Sequence, residues 1–269
     1  MTGSKAAGNK RTGSRRAGMV LQERDRHLLS ELGVMRIIDR EMAKTVAGFG
    51  STTRANTRLL ALTRAGILRR FFVGSIGAGR KAVYTLSPKG AELVAARLGG
   101  IERTSGRLVL GDRFVEHQTG INEIYLAFKY CPTPNSFAGL SRWLTFRQSI
   151  SEAIKLTPDA YLEMRVGDTL RAMFLEVDLG TEALSEWQKK AAYYLQLAVS
   201  GEFLKRFRQP HFRVLVVASS DRRIANICST VAKSTDKIFW FTTFETINRD
   251  GFWSPVWLRP SGGQRHSLL

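Results

Sequence analysis

The sequence predicts an α/β protein in two parts: a small helical module closed by a hairpin, then a mixed sheet with helices on its faces. Three observations carry this. Apolar residues recur at helical spacing through residues 21–98, interrupted by one Gly-rich turn flanked by alternating residues. From residue 111 onward short strand patterns alternate with longer helical ones. The length of 269 residues accommodates a small module and a domain of ordinary size, each with its own core.

The first stretch, "MTGSKAAGNKRTGSRRAGM", is basic, acid-free and lacks an apolar signal core, so residues 1–20 are expected to be a disordered arm touching phosphates. In the first helix, Leu21, Leu28, Leu29 and Leu32 share a face, and Gly33 is the expected stop. "DREMAKTVAG" fits a second, short helix. Ser51 is a good N-cap for a third, "STTRANTRLLALTRAGIL", with Leu59, Leu60 and Leu62 inward. Thr52, Thr53, Arg54, Asn56, Thr57 and Arg58 are left outward, all types that reach bases or phosphates. "LRRFFVGSIGAGRKAVYTLSPKG" reads as a hairpin whose turn carries Arg80 and Lys81, and a helix over 88–98 closes the unit.

Residues 21–98, including the "YTLSPKG" exit, resemble the winged-helix DNA-binding superfamily in element order. The resemblance implies a third helix in the major groove and a wing on the backbone or minor groove. Such modules also mediate protein contacts, which is the competing reading.

Polar "GGIERTSGRL" marks a linker over 99–110, before a second domain over 111–250. Its expected order is a helix through "RFVEHQTGINEIYLAFKY", a strand near "SRWLTFRQSI", two strands within "LTPDAYLEMRVGDTLRAMFLEVDLGTE", a helix "TEALSEWQKKAAYYLQLAV", a strand "HFRVLVVASS", a helix "RRIANICSTVAK" and a strand "KIFWFTTFETI". The first three strands can pair as a meander, and helices lead to the others. The aromatics of "GFWSPVW" are expected to pack a C-terminal tail, 251–269, onto this domain.

The acidic strands carry the chemistry. Asp159 follows Pro158 at a strand start, and Glu176 and Asp178 share one face of the next strand, two residues apart. Carboxylates converging there repel unless a cation meets them, and Mg²⁺ or Mn²⁺ takes such hard oxygens together with water and phosphate. Asp159, Glu176 and Asp178 are therefore metal-ligand and catalytic candidates.

The same residues resemble the PD-(D/E)XK nuclease superfamily, with Pro158-Asp159 as its PD and Glu176 as its D/E. Asp178 stands where that family usually has Lys. Some members supply the Lys from the following helix, and "EWQKKAAYY" offers Lys189 and Lys190. The family role implied for it is to hold the attacking water and neutralise the pentavalent intermediate. The family also implies a Glu from the preceding helix, for which Glu123 is the candidate. His117 shares a face with Ile121, Ile124 and Phe128, so it is either a satisfied core histidine or a contact to the scissile strand.

The combination of a winged helix, "TPDA", "FLEVDLGTE" and a K-x-x-x-Y spacing, met by Lys189 with Tyr193 and Lys190 with Tyr194, is similar to a narrower group. It looks like the plasmid replication-relaxation family and the related MobC-class mobilisation relaxases. That implies nicking or processing of double-stranded or locally melted DNA at a plasmid origin, with accessory mobilisation or replication proteins as partners. The four histidines form no H-x-H spacing, against the common relaxase class built on paired His and a Tyr nucleophile.

Charge agrees with a nucleic-acid partner: 41 Lys and Arg against 23 Asp and Glu give a formal +18. No apolar run is long enough for a membrane span. The lone Cys131 and Cys228 offer no disulfide framework and fit a reducing cytoplasm. Two functions remain open on these residues. One is a metal-dependent DNA nicking enzyme; the other is a non-catalytic origin-binding factor or repressor on a decayed nuclease scaffold.

Overall fold

The computed structural model describes residues 19–74, 80–96, 103–104, 107–108 and 111–269. The arm, the tip of the Gly-rich turn and most of the linker lie outside these residues.

Three helices open the chain. α1 (Glu23–Met35) starts where the Asp25 carboxylate accepts from the Gln22 amide at 2.7 Å. It passes Gly33, because Met35 is buried and draws the last turn into the core; the chain then turns at Arg36, with φ +67°. α2 (Arg40–Ala47) is opened by Asp39, whose side chain accepts from Met42 N, and closed by left-handed Gly48. α3 (Thr52–Arg64) starts at Ser51, which accepts from Arg54 N. Ala55, Leu59 and Leu62 are its buried residues; Leu60, expected inside, is only half-buried and lines an outer groove.

β1 (Leu68–Val73) and β2 (Lys81–Leu86) form an antiparallel hairpin. Ile38 adds a bridge to Tyr84, tying the hairpin to the turn after α1. α4 (Pro88–Leu93), capped by Ser87, ends earlier than expected, before Ala95 at φ +49°. Within the expected linker, β3 (Arg103–Thr104) and β4 (Arg107–Leu108) pair as a short antiparallel ribbon.

α5 (Asp112–Tyr130) follows and joins the two parts. Asn122 donates to the Ile37 carbonyl, while Tyr125 and Lys129 both donate to buried Glu31 of α1. Its other face meets the sheet. There Gly120 permits a close approach, since a Cβ would lie 2.9 Å from the Phe244 ring and 3.1 Å from Val177.

The main sheet orders β5 (Ala138–Thr145), β6 (Ala160–Val166), β7 (Thr169–Asp178), β8 (Phe212–Ala218) and β9 (Phe239–Thr243). The first three form an antiparallel meander, and β7, β8 and β9 run parallel. The architecture is therefore the mixed α/β expected from the sequence. α6 (Leu184–Val199), α7 (Glu202–Phe207) and α8 (Asp221–Ala232) cover one face, where Trp187, Tyr194, Phe203 and Phe207 pack on Tyr161, Phe174 and Phe212. α5 and the C-terminal segment cover the other, burying Phe128, Met173, Leu175 and Trp257 together.

Three further features depart from the sequence reading. β5 begins at Ala138 and stops at Thr145, so "FRQSI" is not strand. α7, introduced by left-handed Gly201, has too short an apolar pattern to be read from period alone. β9 stops at Thr243, whose hydroxyl caps α9 (Phe244–Asp250) by accepting from Thr246 N at 3.0 Å. The C-terminal aromatics pack as expected, with Leu258 bridging Phe241 and His266 bridging Trp257.

Candidate active site

The register of β6 and β7 pairs Ala160 with Leu175, so the turn residue before β6, Asp159, falls beside the Glu176–Val177 peptide. Asp159 Oδ2 accepts from Val177 N at 2.7 Å and lies 3.3 Å from His117 Nε2. That nitrogen is also 3.1 Å from the Val177 carbonyl. The Asp159 hydrogen bond is the main cause that raises the His117 pKa, favouring imidazolium.

Glu176 is buried on the α6 side of β7. Its Oε1 accepts from Tyr194 Oη at 2.5 Å and its Oε2 from Lys190 Nζ at 2.8 Å. Burial, reinforced by the charge of Asp159, outweighs Lys190 and Tyr194 and pushes its pKa up to about 7. Lys190 also reaches Glu182, at 2.9 Å. Burial works against the charge of this lysine, but the two glutamates prevail and hold the ammonium protonated.

Asp159, His117, Glu182 and Lys190 line one cavity of about 510 Å³, together with Arg113 and Glu116. The cavity carries both cations and carboxylates, so a phosphate would find cations and a water would find acceptors.

Asp178 also lines this cavity, whereas Glu123 and Lys189 do not. Asp178 shares the Glu176 face, but four donors occupy it: Trp187 Nε1 at 2.7 Å, Arg223 Nε at 2.8 Å and Nη2 at 2.7 Å, and Gly180 N at 2.6 Å. Burial raises its pKa, yet these bonds win and hold it below the usual carboxylate value. It is a structural anion here, not a free metal ligand. Glu123 faces the hairpin, where burial raises its pKa and Lys81 and Asp39 are its charged neighbours; it is not among the residues lining the Asp159 cavity. Lys189 is exposed and pairs with Glu186 one turn back, as the one-residue offset from Lys190 dictates. Among the described residues no three His, Cys, Asp or Glu side chains form a metal shell. Asp159 and Glu176 remain, and two carboxylates suit Mg²⁺ or Mn²⁺, which keeps several waters and takes phosphate oxygens. The mutual repulsion expressed in Glu176 also favours a cation.

On α3, Thr53, Arg54 and Thr57 are exposed, and Asn56 faces a groove of about 520 Å³ shared with Arg70, Arg80 and Lys81 of the hairpin. Exposed Phe72 carries Arg70 over its ring. Thr52 donates to Glu41 at 3.2 Å, and Lys81 pairs with Asp39 at 2.5 Å. Arg58 is not an outward reader: it is bonded to fully buried Asp25 and to the Val20 carbonyl.

Sequence reasoning missed Glu182 and Arg223. Glu182 stands in the quoted "EVDLGTE", but a loop residue has no period to betray it. Arg223 opens α8, far along the chain, and only tertiary packing brings it to Asp178.

No curated protein and no solved structure matches the chain. The replication-relaxation family model matches residues 28–208, spanning the three-helix unit, the hairpin, the Asp159 and Glu176 strands and the whole of α6. By that match over more than half its length, the chain belongs to the replication-relaxation family.

Proposed function

We propose that this protein is a DNA-binding, metal-dependent nicking enzyme that acts on plasmid DNA in replication or mobilisation in the cytoplasm, akin to MobC-class relaxases. The observation that carries the reading is that Lys190, which lines the same cavity as Asp159, also donates to buried Glu176, at the ends of β6 and β7. In this reading the second part is a nuclease domain of the PD-(D/E)XK kind with its lysine moved to α6. The first part is a winged helix whose Thr53, Arg54, Asn56 and Thr57 face the major groove, with Arg80 and Lys81 on the wing.

Asp159 and Glu176 would hold Mg²⁺ or Mn²⁺, which would supply Lewis-acid polarisation of a phosphoryl oxygen and acidify a water. Lys190 offsets charge growing on the pentavalent phosphorus, and burial strengthens that effect. His117, charged through Asp159, presents its imidazolium to the scissile strand. Water adds to phosphorus and gives up a proton, the P–O bond to one sugar breaks, and the leaving oxygen takes up a proton in exchange, so one strand is cut.

A second reading keeps DNA binding without catalysis, as an origin-binding factor or repressor. It is favoured by the tight closure of Glu176, which is 1% exposed with both oxygens bonded. Supercoiled plasmid from the native host, incubated with and without Mn²⁺, separates the two. Nicking that requires metal and vanishes in Asp159→Ala, with DNA affinity retained, supports the enzyme. Wild-type binding with no nicking supports the second reading, and nicking that survives Asp159→Ala sinks the site.

A further inference from the structure

The end of the sheet away from Asp159 carries four cations that form no ion pair among the described residues. Arg171 lies near the start of β7, Arg213 near the start of β8, Lys237 just before β9, and Arg259 in the C-terminal segment. On β7, Arg171 and Glu176 are separated by roughly 17 Å at a rise of about 3.3 Å per residue, and their side chains take opposite faces.

Arg213 sits 4.4 Å over the Trp240 ring and Arg259 5.2 Å from the same ring, so two guanidinium groups share one aromatic. The hydrogen bonds these arginines do make go to backbone carbonyls. Arg171 donates to Leu268, and Arg259 donates to Asp236 and Lys237. Among the described residues no carboxylate lies within ion-pair distance of Arg171, Arg213, Arg259 or Lys237, although twelve such pairs form elsewhere in the chain.

Two donors, Arg213 Nη1 and Arg259 Nε, are buried without a hydrogen-bond partner among the described residues. Burial, together with the charges of Arg171 and Arg259, lowers the Arg213 pKa, the signature of a cation lacking its counter-charge. Such an arrangement is costly unless an anion completes it. The four cations line a single cavity of about 350 Å³ whose rim includes His211. Several guanidinium forks around a small opening match the oxygens of a phosphate, which accepts planar paired donors.

We propose that Arg171, Arg213, Arg259 and Lys237 form a binding site for a phosphate group, distinct from the Asp159 cavity and completed by the C-terminal segment. The phosphodiester of a nucleic-acid strand and free phosphate share this chemistry. The site does not depend on nicking.

The test uses the full chain. Melting temperature is measured in sodium phosphate against sodium chloride at equal ionic strength, and binding of labelled single-stranded and duplex oligonucleotides is measured across salt. Phosphate should raise the wild-type Tm; Arg213→Gln should abolish the rise and Lys237→Gln should reduce it. If the natural source is a nucleic-acid strand, each variant should also flatten the slope of log affinity against log salt, by about 0.7 for each single-strand phosphate that is no longer neutralised. A phosphate-dependent Tm rise with unchanged slopes assigns the free anion. A Tm rise of the same size in wild type and both variants, or no rise with unchanged slopes, overturns the site. Exposed Lys237 keeps the test readable if Arg213→Gln fails to fold.

Discussion

Glu176 and Asp178 stand two residues apart on one face of β7, both buried, and they meet opposite electrostatic fates. Arg223, Trp187 and Gly180 saturate Asp178 with donors, so its charge is an anchor between β7, α6 and α8. Glu176 receives one lysine and one phenol, and lies beside a second acid, so its charge is poorly compensated. A strand therefore places equivalent side chains side by side, while the helices that cover it decide how far each charge is compensated.

The largest expected effect breaks the anchor. Replacing one partner of a buried pair leaves the other charge uncompensated, so Asp178→Ala or Arg223→Ala should lower unfolding free energy by about 3–5 kcal/mol. Urea melts measure it. A loss below about 1 kcal/mol would mean that Asp178 resembles Glu176 after all.

Next comes Lys190, the cation that separates the two acids in role. Lys190→Ala should slow nicking by roughly a hundred- to thousandfold, about 2.7–4 kcal/mol in barrier, with DNA affinity retained. Lys189→Ala should change the rate little, since Lys189 is exposed and pairs with Glu186. Equal rates for both variants in a plasmid nicking assay would remove Lys190 from the chemistry.

The smallest effect sharpens the contrast through pH. Glu176 is raised from its ordinary 4.5 to about 7, so the stability it contributes is full below 4.5 and is lost as pH rises through about 7. Asp178 is lowered, so its contribution is present above 3.8 and is lost as pH falls through its folded value. Glu176→Gln should therefore gain on wild type, by about 2 kcal/mol, between pH 5 and pH 7.5. Thermal melts at the two pH values check the sign; a constant difference would show that Glu176 is ionised throughout.

Periodicity explains which of these features can be read without a structure. Alternation along "FLEVD" puts Glu176 and Asp178 on one face, and the register places Asp159 next to them, as expected from a meander. The helical step from Trp187 to Lys190 and Tyr194 likewise keeps Lys190 on the sheet side of α6. What periodicity cannot supply is the identity of partners from distant elements. Arg223 reaches Asp178 from α8, Asp25 captures Arg58 from α1, and the hairpin rather than the carboxylates claims Glu123. Each lies on the outer side of its own element, and only packing tells which surface covers it. The ends of β9 and α1 fail for a related reason: a side-chain cap at Thr243 and a buried Met35 override the local pattern.

The backbone bridge from Leu258 to Phe241 gives the C-terminal segment a further consequence. β9 is the last strand of the sheet, and Phe239, Trp240 and Phe241 make it strongly apolar. An open strand of that composition is a template on which a second chain can add its own strand. By bonding to both N and O of Phe241, Leu258 occupies the middle of that template. Solubility at high concentration thus rests partly on a backbone bridge rather than on side-chain chemistry, and protein cut before Leu258 should self-associate, visible as a rise in scattered light even while the remaining strands stay paired.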